Sequence, residues 1–87
     1  MKTLLQPGDK IHIRSDIEQG RWYSMKTSEM RDSWIKANMA QPGQLVTIKK
    51  VLHGRYQIEE DRLCCYTDEM FDADFIEFLY NDYLNNK

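Results

Sequence analysis

The sequence predicts a β-rich α+β fold, in which a small β-barrel carries two helices. Three observations favour this class. Short segments alternate between apolar and polar residues with a period of two, and turns containing Gly or Pro separate them. The C-terminal segment then changes to a helical period. A chain of 87 residues is enough for a single domain, 1–87, with one core.

The predicted strands begin after the turn in "PGDKIHIRSD", where Ile11 and Ile13 point inward between polar neighbours. "RWYSM" is a short second extended segment. "QLVTIKKVL" is the main strand, in which Val46 and Ile48 share one face and Val51 is out of step with them. One extra residue, a β-bulge, would return Val51 to the core and bend the strand.

A tight turn at His53 and Gly54 leads into a returning strand, "RYQIEE", with Tyr56 and Ile58 inward. "LCCY" is the next strand. The cluster 67–69, Thr-Asp-Glu, is typical of a helix N-terminus, because a Thr cap and two acids suit its positive end. Met70 and Phe71 behind it are predicted to plug the end of the barrel.

Two segments have helical spacing. In "TSEMRDSWIKANM", Met30, Trp34 and Asn38-Met39 recur about once per turn, which predicts an inserted helix at about 28–39. The tail, "DADFIEFLYNDYLNNK", predicts an amphipathic helix at about 73–85, capped by Asp72 or Asp74. The barrel itself is predicted to occupy about 7–71.

The order of "PGDKIHIRSD", "GQLVTIKKV…YQIEED" and "YTDEMF" resembles a group of small uncharacterised proteins of bacteriophages and Gram-positive bacteria. The resemblance covers about Pro7 to Phe71. It implies an SH3-like barrel and a phage or mobile-element origin, and it implies no activity. Cys64 and Cys65 stand where the pattern has aromatic residues, and the C-terminal helix is longer than the pattern requires.

The sequence predicts no catalytic residue, metal site or cofactor. Cys64 and Cys65 are adjacent in a strand, so their thiols point to opposite faces and do not converge on one metal. His12 and His53 stand alone, and no spacing joins a thiol to a base. One thiol is expected to be buried and one to lie at the surface. A non-enzymatic role follows as the expectation.

Charge is divided unevenly along the chain. Residues 1–55 contain 10 Lys/Arg and 5 Asp/Glu, whereas residues 56–87 contain 2 Lys/Arg and 9 Asp/Glu. Such a division affects the choice of partner more than the fold. The leading hypothesis is a module that binds a protein partner through its acidic, aromatic third. The predicted contact residues are Glu59, Glu60, Asp61, Asp68, Glu69, Asp74, Glu77, Phe78, Tyr80 and Asp82.

A narrower form of this hypothesis follows from the resemblance to phage proteins. The acids would imitate the phosphates of nucleic acid and so inhibit a host nuclease or nucleic-acid-binding effector, such as a CRISPR or restriction enzyme. A homodimer formed through the aromatic helix is a further alternative. A purely structural role, in which the helix packs its apolar stripe on the barrel and exposes its acids to solvent, stays open as well.

The alternative from a different class is direct binding of nucleic acid by a basic face of the barrel. The residues predicted for it lie on the first strand and the main hairpin: Lys10, His12, Arg14, Lys49, Lys50 and Arg55. No apolar run approaches the roughly 20 residues that span a bilayer. The first ten residues also lack the apolar core of a signal peptide, so we expect a cytoplasmic protein without membrane contact.

Overall fold

Strands form where the sequence alternates with a period of two. A computed structural model describes residues 3–86, and these contain two antiparallel sheets, a 3₁₀ helix and one α-helix. In chain order the elements are β1 (Lys10–His12), β2 (Trp22–Ser24), β3 (Arg31–Ser33), β4 (Leu45–Leu52), β5 (Arg55–Ile58), β6 (Asp61–Tyr66), the 3₁₀ helix (Asp68–Met70) and α1 (Ala73–Asn85).

The four-stranded sheet has the order β1-β4-β5-β6, and β2 pairs with β3 in a separate two-stranded sheet. The predicted bulge is confirmed, because the register of β4 against β5 shifts between Ile48 and Lys50. Val51 then lies opposite Tyr56 and is half-buried. The bulge therefore keeps the end of the longest strand against the core.

The described strands do not close into a barrel. β1 and β6 are the edges of the four-stranded sheet, and a single isolated bridge joins Ile13 to Phe71. The coarser class, β-rich α+β, is confirmed, whereas the SH3-like barrel stays a prediction.

The inserted helix predicted at about 28–39 is wrong. Residues 31–33 form β3, whose Ser33 lies opposite Trp22 of β2, and the Met25 N–H donates to the Met30 carbonyl across the connecting turn. The predicted stripe does not form one buried face, since Trp34 and Asn38 are buried whereas Met39 is 60 % exposed. Pairing with the aromatic strand β2 therefore overrides a weak helical period that lacked a capping box.

One core lies between the sheets and beneath the 3₁₀ helix. Ile11, Ile13 and Ile48 come from the sheet, and the predicted plug, Met70 with Phe71, is fully buried. Tyr66 stacks on Phe71 with ring centroids 6.2 Å apart, and Trp34 meets Tyr66 edge-on at 5.8 Å. The chain that enters α1 is therefore fixed in place by the most deeply packed part of the molecule.

Candidate functional site

The helix α1 begins immediately after the buried plug. The Asp72 carboxylate accepts hydrogen bonds from the Asp74 N–H at 3.0 Å and the Phe75 N–H at 3.2 Å, as an N-cap residue does. The backbone N–H of Asp72 donates to the His12 carbonyl at 2.8 Å. The predicted bounds of about 73–85 and the Asp72 cap are confirmed, and the helix is anchored to β1 at its first turn.

The helix buries little of its own surface. Ile76 is the buried residue of α1, while Leu79, Tyr80 and Tyr83 are half-buried. The Lys26 ammonium lies 5.4 Å from the centroid of the Tyr80 ring, so the predicted contact residue Tyr80 is held on the inner side of the helix. The main packing partner of α1 is the 3₁₀ helix. The rest of α1 therefore faces away from the core.

The outward side of α1 carries exposed aromatic rings. Phe75 is 43 % exposed and Phe78 is 66 % exposed, and their rings stack with centroids 6.5 Å apart. Leu45 of β4, which is 49 % exposed, lines the same shallow groove as Phe75. We call Leu45, Phe75 and Phe78 the α1 patch. Exposed apolar residues that cluster in this way are typical of interaction sites.

Basic residues border the α1 patch where it meets the sheet. Lys10 and His12 line the groove together with Ile11, Leu45, Asp72 and Phe75. Both basic side chains are exposed, because the period-two alternation of β1 turns them away from buried Ile11. The His12 Nδ1 lies 3.1 Å from the Gly43 carbonyl oxygen. The groove therefore combines an apolar floor with charges of both signs, the Lys10 ammonium and the capping carboxylate of Asp72.

Asp61 does not belong to the predicted contact surface, because its side chain is completely buried. It accepts hydrogen bonds from the Tyr66 hydroxyl at 2.6 Å, the Met39 N–H at 3.0 Å, and the N–H groups of Leu63 and Cys64 at 3.1 Å. Burial by itself would raise the pKa of Asp61, but these donors outweigh it and hold that pKa below its usual value. Asp61 fastens the segment after β3 to β6.

Asp68 is also fully buried and cannot touch a partner in this conformation. Its two carboxylate oxygens accept from the Lys26 N–H at 2.9 and 3.2 Å. Burial, together with the nearby charge of Glu69, raises the pKa of Asp68 to about 6. The predicted Thr cap is corrected as well, because Thr67 makes no capping hydrogen bond and its buried hydroxyl has no partner within residues 3–86.

Two further predicted contact acids are used inside the fold. Glu69 accepts from the Ser24 N–H at 2.9 Å and lies 3.9 Å from the Lys26 ammonium. Glu60 accepts from the Thr47 N–H at 3.0 Å. Within residues 3–86, the predicted acids that are exposed and bonded to no other element are Glu59, Asp74, Glu77 and Asp82, of which Asp82 accepts from the Asn86 side-chain amide at 3.3 Å. Three of these four lie on α1.

The predicted basic face is interrupted by acids. Arg14 forms an ion pair with Asp16 at 2.8 Å and donates to the Glu69 carbonyl, and Arg55 lies 4.0 Å from Asp32. Four of the six predicted residues, Lys10, His12, Lys49 and Lys50, remain exposed on β1 and β4. Glu60 is bonded to Thr47, which lies opposite Lys10. This surface carries mixed charge, which favours nucleic acid less than the sequence suggested.

The thiols differ from the expected arrangement, since Cys64 and Cys65 are both half-buried. Burial raises the pKa of the Cys64 thiol, and the charge of Asp61 raises it further. A raised pKa disfavours the thiolate that a nucleophile needs. Within residues 3–86 no group of three or more His, Cys, Asp or Glu side chains is placed to hold a metal ion.

Sequence reasoning missed Leu45 of the α1 patch. The predicted acidic, aromatic contact surface includes the C-terminal helix that carries Phe75 and Phe78, but no prediction includes Leu45. The phase of β4 does give a signal, because Leu45 alternates with buried Val46 and so points outward. Leu45 lies beside Phe75 only because the chain after the buried plug, Met70 with Phe71, returns to β1. No local sequence pattern encodes this proximity.

Comparison with models of known protein families, with curated proteins and with solved structures gave no match. The resemblance to small phage and Gram-positive proteins therefore stays a prediction. Among the described residues, no helix has the length and apolar character that crossing a membrane requires. The case for a function rests on the geometry of α1 and its surroundings.

Proposed function

We propose that this protein is a non-enzymatic binding module whose helix α1 contacts a protein partner. One observation carries the proposal: the start of α1 is bonded to β1 through the Asp72 N–H and the His12 carbonyl, yet Phe75 and Phe78 are left exposed and stacked on the outer side of the helix. Aromatic side chains on a rigid element supply large contact area at a small entropic cost, and they are enriched among the residues that dominate binding energy.

The charges on α1 define the partner's chemistry. Asp74, Glu77 and Asp82 are exposed, and no Lys or Arg lies between residues 73 and 86. A complementary surface would combine a hydrophobic pocket for the phenyl rings with a basic rim. The acids would then speed association and select the partner, while the rings supply most of the affinity.

The form of the hypothesis in which the acids imitate nucleic acid has less support. It requires carboxylates spread over a surface, whereas Asp61 and Asp68 are buried and Glu60 and Glu69 are bonded within the fold. The exposed acids of α1 are three in number and share their helix with the aromatic rings. We therefore assign the binding energy to the α1 patch rather than to an array of charges.

A capture experiment with matched variants tests the proposal. The immobilised protein, Phe78→Ala and Leu63→Ala are each exposed to extract of the cells that produce the chain, and retained proteins are quantified by mass spectrometry. Leu63 is the control because it is an exposed apolar residue of β6, outside the α1 patch. Phe78→Ala is expected to reduce retention of the partner at least about tenfold, and Leu63→Ala to leave it unchanged.

Charge reversal gives an independent arm. Changing Asp74, Glu77 and Asp82 to Lys is expected to abolish retention, whereas reversal of the exposed acids Glu29 and Glu59 is expected to leave it intact. All variants should melt close to the parent, because these side chains are exposed. Equal retention by the parent, Phe78→Ala and the triple reversal would overturn the proposal.

A further inference from the structure

The surface around the α1 patch changes charge from one end to the other. At the end formed by the sheet lie Lys10 and His12, which line the groove with Phe75. Further along α1, Phe75, Phe78 and Asp82 follow one another at i, i+3 and i+7, so they form one stripe. Asp72 lines the same groove, but its carboxylate caps α1. Along the line from Lys10 through the two phenyl rings to Asp82, the order is therefore basic, apolar, acidic.

The helix itself strengthens the acidic end. The last turn of α1 contains no basic residue, so the partial negative charge of the helix C-terminus adds to that of Asp82. From Phe75 to Asp82 the axial rise is about 10 Å, which leaves room for two stacked rings between the charged ends. Within residues 3–86 Lys10 belongs to none of the ion pairs, so its charge is available to a neighbour.

A surface with this order is complementary to itself. Rotation by 180° about an axis near Phe78 exchanges the basic and acidic ends while the apolar centre stays in place, which is the requirement for a two-fold interface. We infer that the partner of the α1 patch is a second copy of this chain, related to the first by such an axis. This inference rests on the proposed function and names its partner.

In this dimer the two α1 helices run antiparallel, and the stacked rings of Phe75 and Phe78 from each copy form the centre. Asp82 of one copy meets Lys10 of the other on both sides of the axis. Antiparallel helices also bring the positive end of one helix dipole near the negative end of the other. The charged ends exclude a parallel arrangement, because it would place Asp82 against Asp82.

The interface is small. Three exposed apolar side chains and a charged rim fall toward the lower end of specific protein interfaces, below about 800 Å² per partner. We therefore expect a reversible dimer with a dissociation constant in the micromolar range, about 1–100 µM, that weakens as salt screens the rim. Its mass should change with concentration rather than stay fixed.

Sedimentation velocity of the full chain from about 1 µM to about 1 mM tests this inference. The parent is expected to pass from monomer to dimer across the range. Phe78→Ala is expected to raise the dissociation constant at least about tenfold, and the matched control Leu63→Ala to leave it unchanged. Circular dichroism melting of each variant confirms that it is folded.

A charge swap identifies the two-fold geometry. Lys10→Glu alone and Asp82→Lys alone are each expected to weaken the dimer, because each places like charges together. The double variant Lys10→Glu with Asp82→Lys is expected to restore it, since the exchanged charges meet again across the axis. Merely structural effects of the two substitutions would add instead of cancelling.

A monomer at every concentration, or a dimer that the swap does not restore, overturns this inference. The proposed function is tested separately by capture. A monomeric chain that loses a different captured protein on Phe78→Ala would leave the proposed function standing and remove the second copy as its partner. Retention unaffected by Phe78→Ala, together with a monomeric parent, would remove both.

Discussion

The sheet body and the helix α1 treat their polar and apolar side chains in opposite ways. In the body, Asp61 and Asp68 are buried while aromatic rings such as Tyr66 and Phe71 fill the core. On α1 the acids are exposed as expected, but Phe75 and Phe78 are exposed with them. In the body, the buried carboxylates are hydrogen-bonded and so help to fix one conformation. On α1, the exposed rings could be buried only against another molecule.

This contrast between the body and α1 gives a rule that substitutions can test. Changes at buried residues of the body should alter the free energy of unfolding and leave the surface of α1 intact. Changes on the outer side of α1 should leave the free energy of unfolding nearly constant and alter association. A residue that violates either half shows that the division between the two regions is drawn in the wrong place.

Among substitutions of the two buried acids, the largest effect is expected for Asp61→Asn. The amide keeps one oxygen, but its NH₂ group replaces an oxygen that accepts from the Met39 N–H and the Tyr66 hydroxyl. The Met39 N–H is then left facing another donor, and we expect unfolding to cost about 2–4 kcal/mol less. Urea unfolding at neutral pH measures this loss in the free energy of unfolding. The control is Glu59→Gln, because Glu59 is an exposed acid two residues earlier.

The pH dependence of the free energy of unfolding should also distinguish Asp61 from Asp68. The pKa of Asp61 lies below its unfolded value, so its contribution is present near neutral pH and is lost as the pH falls through the folded pKa. A parent that keeps its full stability well below pH 3, about one unit under the usual Asp value, would contradict the role given to Asp61.

A smaller effect of opposite sign is expected for Asp68→Asn. Because burial raises the pKa of Asp68 to about 6, the folded state holds its proton more tightly than the unfolded chain. The parent should therefore lose about 1–3 kcal/mol of stability as the pH rises from about 4 to about 7. The Asn variant can still accept from the Lys26 N–H and lacks this loss.

Urea unfolding at pH 5 and pH 8 measures the difference in the free energy of unfolding between the parent and Asp68→Asn. This difference should be larger at pH 8. The comparison cancels contributions from titrating groups that do not interact with the Asp68 carboxylate. An equal difference at the two pH values would show that the folded and unfolded states bind the Asp68 proton equally well.

The smallest effect on stability is expected for Phe78→Ala. Two thirds of its side chain is already exposed, so truncation removes little buried area and should change the free energy of unfolding by less than about 0.5 kcal/mol. Thermal unfolding monitored by circular dichroism measures it, with Phe71→Ala in the buried plug as the contrast. Phe71→Ala should cost about 3–5 kcal/mol. A comparable loss for the two would place Phe78 in the core.

Much of this contrast is visible in the sequence. The alternation around Ile11 and Ile13 predicts β1, the phase break at Val51 predicts the bulge, and Asp72 followed by an apolar stripe predicts α1. Each is a local pattern whose period or cap acts within a few residues. The helix at about 28–39 failed because pairing of β3 with β2 outweighed its local period.

The site was harder to predict for the same reason. Acidic residues near one another in the sequence suggested one surface, but burial divides them. Asp61 serves four donors inside the fold, whereas Asp82 is exposed. Leu45 and Phe75 are 30 positions apart and share a groove only because the plug returns the chain to β1. Such proximity is a property of the tertiary structure alone.

The central claim, that the contact surface is α1 with the adjoining residues of β1 and β4 and not the rest of the body, is tested most directly by amide hydrogen exchange. The chain is measured alone and dilute, and again when associated, either at high concentration or with its captured partner. Exchange should slow in residues 73–85 and around Leu45, and stay unchanged in β6 around Leu63. Slower exchange in β6 with no change in α1 would contradict the account.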